Sequence, residues 1–449
     1  MSVNEETPLL HEAQRDVEDS HETNGRGEDS SSEEERPEAK LSATAVILPM
    51  MLGTYLVAMD HTIVASTYAH IGSQFHHLEN TSWITTGYML TLTSFQPLYG
   101  KLSDIFGRKF CMLLALTVFC FGCLLCGLAN SMTTLIVARA IAGMGGGGIS
   151  TVGVIIMSDV VPLRNRGTWQ GVANIVFASG QATGAPLGGM LAETVGWRWA
   201  FLIQVPLTIL AMIIFSIGFK LPKTESSDFM VKLKRVDFGG AVTLVIAVFA
   251  LLLGLDRGGN VSWKDRLTIA CFVVFAIFFL AFGIVEWVVA KEPFAPKFII
   301  ANRTMLASYA CNFFSSGAII SLIFHVSLYL QAVQGFDPGK VGLALIPAVV
   351  GGAIGSVSAG LIMRTTGKFY VLTIIAYSVS ACAIVSVALF TGPWKFALIG
   401  LGASLAAMNL GGWGALTTTL IAIISNAGLK NQAVATAGKS HAHAVKVIS

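Results

Sequence analysis

Gly100-Lys-Leu-Ser-Asp104-Ile-Phe-Gly107-Arg108-Lys109 separates two long apolar runs with ten residues that carry four charges and two glycines. The glycines permit a tight turn between antiparallel helices. Asp104 can pair with Arg108 or receive a neighbouring helix N-terminus. A solvated loop that only puts positive charge on one side of a membrane would look similar. What surrounds it decides the class. Crossing ~30 Å of hydrocarbon at 1.5 Å per residue takes about 20 apolar residues. The chain has twelve such runs, near 43–66, 82–101, 110–130, 133–158, 168–192, 199–220, 237–255, 266–290, 304–333, 338–362, 370–391 and 396–425. The reading is an all-α polytopic membrane protein.

Composition excludes the alternatives. Charged residues are 12% of the 449 and hydrophobic residues 54%, whereas a soluble domain carries roughly 25% charge. The charge is also uneven. Residues 1–40 hold 13 acidic and four basic residues, giving −9, and the remainder is +12. This acidic tail predicts disorder and lacks the basic and apolar regions of a cleaved signal peptide. The basic remainder reads as an orientation signal and not as a nucleic-acid footprint. Arg108 and Lys109, Arg164 and Arg166, Lys223 to Arg235, and Arg364 with Lys368 follow runs two, four, six and ten. The alternate loops at 67–81 and 131–132 have none, and Arg257, Lys264 and Arg266 are outvoted. The expectation is a cytosolic N-terminus.

The seven cysteines fall in or at the ends of apolar runs. Cys120-x-x-Cys123-x-x-Cys126 has the spacing of a metal or redox motif, but without ligand partners nearby it reads as small apolar helix residues. There is no nucleophile motif, nucleotide loop or metal-spaced cluster, so neither enzyme nor cofactor is expected. A repeat is visible. Gly100 to Arg108 recurs weakly as Gly360-Leu-Ile-Met-Arg-Thr-Thr-Gly367-Lys368, and Leu163-Arg-Asn-Arg166 as Leu429-Lys-Asn-Gln432. Two parallel halves are one known transporter plan.

Polar groups inside the runs are the candidate functional residues, because an intramembrane charge costs at least ~2.5–3.5 kcal/mol and seeks a cavity or partner. Asp60 lies well inside run one and Arg139 in run four. A carboxylate in the interface, or an arginine snorkelling from a helix end, are the plainer readings. In run five Gly180, Gly184, Gly188 and Gly189 form a groove for another helix, and Pro186 bends it. His325 and Asn312 in run nine are possible substrate contacts. Asn409 is a further intramembrane polar group, and Glu286 reads as interfacial.

The opening string resembles the signature of the major facilitator superfamily, Gly-x-Leu-x-Asp-x-x-Gly-Arg-Lys. That resemblance gives Gly100, Asp104, Gly107 and Arg108 the role of a cytoplasmic latch in alternating access. Arg139-Ala-Ile-Ala-Gly143-Met-Gly145 is similar to the motif whose arginine is associated with proton coupling. Gly180-Gln-Ala-Thr-Gly184-Ala-Pro186-Leu-Gly188-Gly189 is similar to the antiporter motif, with its proline one place late. Asp60-His-Thr-Ile-Val64, Trp197-Arg-Trp-Ala-Phe201, Gln204-Val-Pro206 and an extra helix pair resemble the fourteen-span drug/proton antiporter branch. Ser82-Trp-Ile-Thr-Thr-Gly-Tyr88-Met-Leu and the acidic tail resemble fungal vacuolar basic amino-acid transporters.

The implied fold is a major facilitator fold with two pseudo-symmetric bundles and an extra helix pair between them. Its expected parts are a tail (1–41), an N-terminal six-helix bundle (42–221), a linker with two helices (222–303) and a C-terminal bundle of four helices (304–449). That last bundle reads as two helices short, since Ala433 to Ser449 hold no span. The implied function is proton-coupled antiport of lysine, arginine and histidine into the vacuole. Glu5, Leu9 and Leu10 form an acidic dileucine address for a sorting adaptor. Implied partners are a small cationic substrate, protons and membrane lipid. Multidrug or toxin efflux at the plasma membrane is the alternative within transport. A non-transporting sensor or an inactive truncated form is the alternative outside it.

Overall fold

The structure is a computed structural model that describes residues 43–75, 81–219, 238–285, 303–336, 338–366, 369–392 and 397–444. The acidic tail, Glu286, Gly367 and Lys368 lie outside the described residues. Within them the elements are helices. They are α1 (Ala43–Phe75), α2 (Ser82–Phe106), α3 (Arg108–Leu128), α4 (Met132–Val160), α5 (Leu163–Thr194), α6 (Arg198–Leu202), α7 (Gln204–Gly218), α8 (Phe238–Asn260) and α9 (Arg266–Ile284). The second half holds α10 (Arg303–Ala332), α11 (Pro338–Thr366), α12 (Tyr370–Thr391) and α13 (Leu398–Ala444). All twelve apolar runs coincide with helices, run six being α6 and α7 together.

Ten of these segments are long and apolar enough to cross a membrane by length and composition, and α2 and α5 are not among them. This corrects the uniform reading of twelve apolar runs. The physical reason is where their polar residues go. In α2 the side chains of Thr91, Thr93, Ser94, Gln96 and Ser103 are buried within protein. Thr91, Ser94 and Ser103 donate to backbone carbonyls, Thr91 Oγ1 to that of Ala140 at 2.7 Å, while Thr93 and Gln96 face the cavity between the bundles. Lipid never meets them, so low hydropathy carries little penalty. The opposite extreme is α9, almost wholly unburied, with Leu280 and Ile284 over 60% exposed. Exposed faces this apolar belong against lipid.

In the first bundle α2 packs on α4, α4 on α3, and α1 on α5 and α7. Its core includes Ile47, Leu56, Tyr88, Phe119, Ile149 and Ile156. In the second bundle α11, α12 and α10 all pack on α13. The α2·α4 contact of the first half thus has its counterpart in α11·α13, at the offset of the sequence repeat. The pair α8 and α9 pack together and touch the first bundle through α2, where Leu90 meets Val248 and Leu252.

The turn between α2 and α3 is a single residue. Gly107 has φ +91°, a backbone that side chains with a Cβ rarely adopt. Across the bundles, α5 meets α11, and α13 meets α2, α4 and α5. Those between α5 and α11 gather at the end that carries Arg166 and Arg364. There a Cβ on Gly167 would lie 2.7 Å from Gly360 Cα, and Asn174 Nδ2 donates to Ser356 Oγ at 2.6 Å. Farther along α5, Gln181, Ala182 and Thr183 are exposed. The two bundles are closed at the basic end, and a cavity opens beyond it.

Candidate functional site

Asp60 sits midway along α1 with its side chain fully buried. Arg139 reaches it from α4, Nη1 to Oδ2 at 2.6 Å, and is itself only 1% exposed. The other carboxylate oxygen accepts from Gln204 Nε2 of α7 at 3.1 Å, and that amide also donates to the Ala200 carbonyl. Arg139 Nε donates to the Ile84 carbonyl at 3.3 Å. The guanidinium lies 4.1 Å above the Tyr88 ring and 5.6 Å from that of Phe201. Burying two ions costs several kcal/mol each, and attraction offsets this only with good geometry and further hydrogen bonds. Both are present here.

Small residues bring these charges together. A Cβ on Gly143, one turn beyond Arg139, would collide with the Tyr88 carbonyl of α2. On α5, Gly180, Gly184 and Gly188 face α1 at Tyr55 and Ala58, at Met59 and Thr62, and at Ile63 and Ser66 in turn. This stripe therefore brackets Asp60. Gly189 faces away from the tight contact, and Pro186 lies inside α5, which runs unbroken through it. Thr62 Oγ1 donates to the Gln181 carbonyl at 2.9 Å and Tyr55 OH pairs with Thr183 Oγ1 at 2.7 Å.

Beside the ion pair, between the bundles, lies a cavity of about 420 Å³. His61, Gln96, Phe177 and Gln181 line it from the first bundle, and Ile319, Asn409 and Trp413 from the second. A second lobe of about 270 Å³ shares Phe177, Gln181, Asn409 and Trp413, and adds Asn174 and Gly352. Among the described residues, neither lining contains a carboxylate. The surface is apolar and aromatic, with a few amides and one imidazole, the usual character of a small-molecule site.

At the basic end, Arg108 holds three helices. Its Nη1 meets Asp104 Oδ1 at 2.7 Å and its Nε meets Asp159 Oδ2, on α4, at 2.8 Å. Nη1 also donates to the Ser103 carbonyl at 2.8 Å. Gly100 lies in the last turns of α2, its carbonyl accepting from Ser103 Oγ at 2.7 Å. Lys109 Nζ caps the Ser216 carbonyl of α7 at 2.7 Å. Nearby, Arg166 is buried and donates to the carbonyls of Val161 and Ser158. Arg108→Gln and Asp104→Asn are expected to slow turnover about tenfold or more while leaving equilibrium substrate binding largely intact. Transport rates and ligand titration on the same preparation check this; lost binding with normal conformational exchange contradicts it.

The structure does not bring every candidate to the cavity. His325 is exposed on α10, with Nδ1 2.7 Å from the Ser321 carbonyl, and lines neither lobe. Asn312 is buried between α10 and α13, its Oδ1 accepting from Thr419 Oγ1 at 2.7 Å. Asn409 lines both lobes. Sequence reasoning missed His61, Tyr88, Gln204 and Asp159 as site residues. Gln204 is an amide inside an apolar run and Asp159 an acid at the end of run four. Both signals were present, without any indication of their partners.

Residues 50–438 match the model of the Major Facilitator Superfamily. The vacuolar membrane amino acid uptake transporter fnx2 of Schizosaccharomyces pombe is 40% identical over 402 residues, 88% of this chain and 69% of that protein. Multidrug resistance protein fnx1 of the same yeast is 38% identical over 89% of this chain and 76% of its own. Vacuolar basic amino acid transporter 1 of Saccharomyces cerevisiae is 38% identical over 72% of this chain, which spans 57% of that protein's length. The solved proton:xylose symporter XylE shares the fold, with a TM-score of 0.61 at 15% identity over 90% of this chain and 87% of its own. With its paired bundles, its loop at Gly100–Lys109 and these relatives, the chain is a transporter-type membrane protein that belongs to the Major Facilitator Superfamily.

Proposed function

We propose that this protein is a secondary active transporter that exchanges protons for basic amino acids across the vacuolar membrane, loading lysine, arginine or histidine into the vacuole. The observation that carries the reading is the fully buried Asp60–Arg139 pair directly beside a cavity between two bundles. A carboxylate there is a proton site whose state changes the partner of a buried arginine. The cavity is large enough for one amino acid. Trp413 and Phe177 offer ring faces to a cationic side chain, and the amides of Gln96, Gln181 and Asn409 offer oxygens to an ammonium and N–H groups to a carboxylate. The two vacuolar relatives support the substrate class and compartment. Labelled lysine should enter vacuole vesicles carrying this protein, and dissipating the proton gradient should abolish that entry. Gradient-independent entry, or none, would reject the reading.

Export of hydrophobic cations is the second reading, favoured by the aromatic lining, which has no carboxylate among the described residues, and by the fnx1 relative. Competition decides between them: excess arginine should block lysine entry, whereas a lipophilic cation should not.

With the N-terminus cytosolic, the Glu5-to-Leu10 string is available to a sorting adaptor. Leu9→Ala with Leu10→Ala should move a fluorescent fusion from the vacuolar rim to the plasma membrane. An unchanged rim signal would show that the address lies elsewhere.

A further inference from the structure

This inference rests on the reading of the cavity as the site of a cationic substrate. Asp60 is wholly buried, so a substrate in the cavity does not touch it. An exchanger nevertheless has to hold either the proton or the substrate, and not both at once. Something must therefore connect the cavity wall to the ion pair.

His61 is adjacent to Asp60 in the chain and lines the cavity. Its ring meets Tyr88 edge-to-face, centroids 5.3 Å apart at 84°, and meets Phe177 at 6.2 Å and 72°. The same Tyr88 ring supports the Arg139 guanidinium at 4.1 Å. Imidazole, phenol ring and guanidinium thus form one continuous line of contacts from cavity wall to ion pair. Tyr88 is fully buried and lines neither lobe of the cavity.

We infer that His61 is a positioning residue which, through Tyr88, makes occupation of the cavity by a cation and protonation of Asp60 mutually exclusive. In the structure the pair is closed and Arg139 rests on Tyr88. Protonation of Asp60 leaves Arg139 without its counter-charge in a site closed to water, so the guanidinium shifts toward carbonyl oxygens such as that of Ile84. A close-packed interior passes that shift to its neighbours. Tyr88 and then His61 move, and the wall of the cavity changes shape. In the reverse direction, a bound cation holds His61 in its present place. The proton then leaves the Asp60 carboxyl for solution, and the carboxylate re-forms its pair with Arg139. Among the described residues, the other titratable or charged groups around Asp60 and His61 are Tyr88 of α2, Cys123 and Cys126 of α3 and Arg139 of α4. Facing His61, α5 presents Phe177 and Gln181, and α13 presents Asn409 and Trp413, none of which titrates.

The test counts protons. Calorimetric titration of the purified full-length chain with lysine, in two buffers of different ionisation enthalpy, gives protons released per lysine bound at saturation. The wild-type protein should release about one, and His61→Asn and Tyr88→Leu should release at least about fivefold fewer. Tyr88→Phe, which keeps the ring, should release more than Tyr88→Leu. A merely structural role would lower affinity or stability without changing this ratio. The wild-type ratio retained in either His61→Asn or Tyr88→Leu overturns the inference. If His61→Asn fails to fold or to bind lysine, Tyr88→Leu decides by the same count. Failure of the wild-type protein to bind lysine overturns the cationic-substrate reading, and this inference with it.

Discussion

Asp60→Asn is expected to bring gradient-driven substrate accumulation to background while the protein still reaches the membrane. An amide does not take up and release a proton, so the proposed exchange would lose its coupling group. Asparagine can keep the contact with Gln204, but it leaves the Arg139 charge buried and uncompensated. Removing one partner of a buried ion pair costs ~3–5 kcal/mol, so thermal stability in detergent should fall as well. Two effects are then mixed, and a double variant separates them. Asp60→Asn with Arg139→Gln removes both charges and should recover most of the stability, without recovering gradient-driven accumulation. Coupling energies between contacting residues are read from such a cycle. Normal proton-dependent uptake by Asp60→Asn would remove the pair from the mechanism.

Gly184→Val should be nearly as damaging, for a steric reason. Even a single Cβ at this position would collide with Thr62 Oγ1 and with the Met59 carbonyl, and that carbonyl is backbone on the neighbouring helix. Helix α1 must move away from α5, and Asp60 moves with it. Overpacking of this kind typically costs ~1–3 kcal/mol, and within a membrane no hydrophobic drive between helices restores the contact. Transport should be lost together with a clear drop in unfolding temperature. Gly189→Val is the matched comparison, because a Cβ there meets only Ser66 Cβ at 3.7 Å, an ordinary contact. It should cost far less stability. Equal damage from both would mean that the stripe acts through helix propensity and not through its fit to α1.

The fold class was legible because it depends on local quantities. Run length and apolarity mark spans one residue at a time, and lysines and arginines in short loops mark their ends. Glycines four apart in run five announced a close helix contact, and the structure supplies α1 as that partner. The buried charges were legible as exceptions to an apolar background. Their meaning was less so. His325 had the same local signature as a cavity residue, yet α10 turns it outward. Gln204 resembled any amide in an apolar run until α7 carried it to Asp60.

Sequence alone determined that this chain crosses a membrane many times, that motifs recur between its halves, and that Asp60, Arg139 and the Gly100–Lys109 loop hold charges that stand out from an apolar background. Each of those statements needs only composition, spacing and the cost of charge in hydrocarbon. Tertiary structure decided which charges meet. Asp60 and Arg139 lie 79 residues apart in the chain and 2.6 Å apart in space. Asp104 and Asp159 converge on one arginine from different helices. It also decided that α2 and α5, the least apolar of the long helices, turn their polar faces inward, α5 toward the cavity and α2 partly so. Which faces meet depends on the summed fit of small residues across every helix contact, and no window of one helix contains that information.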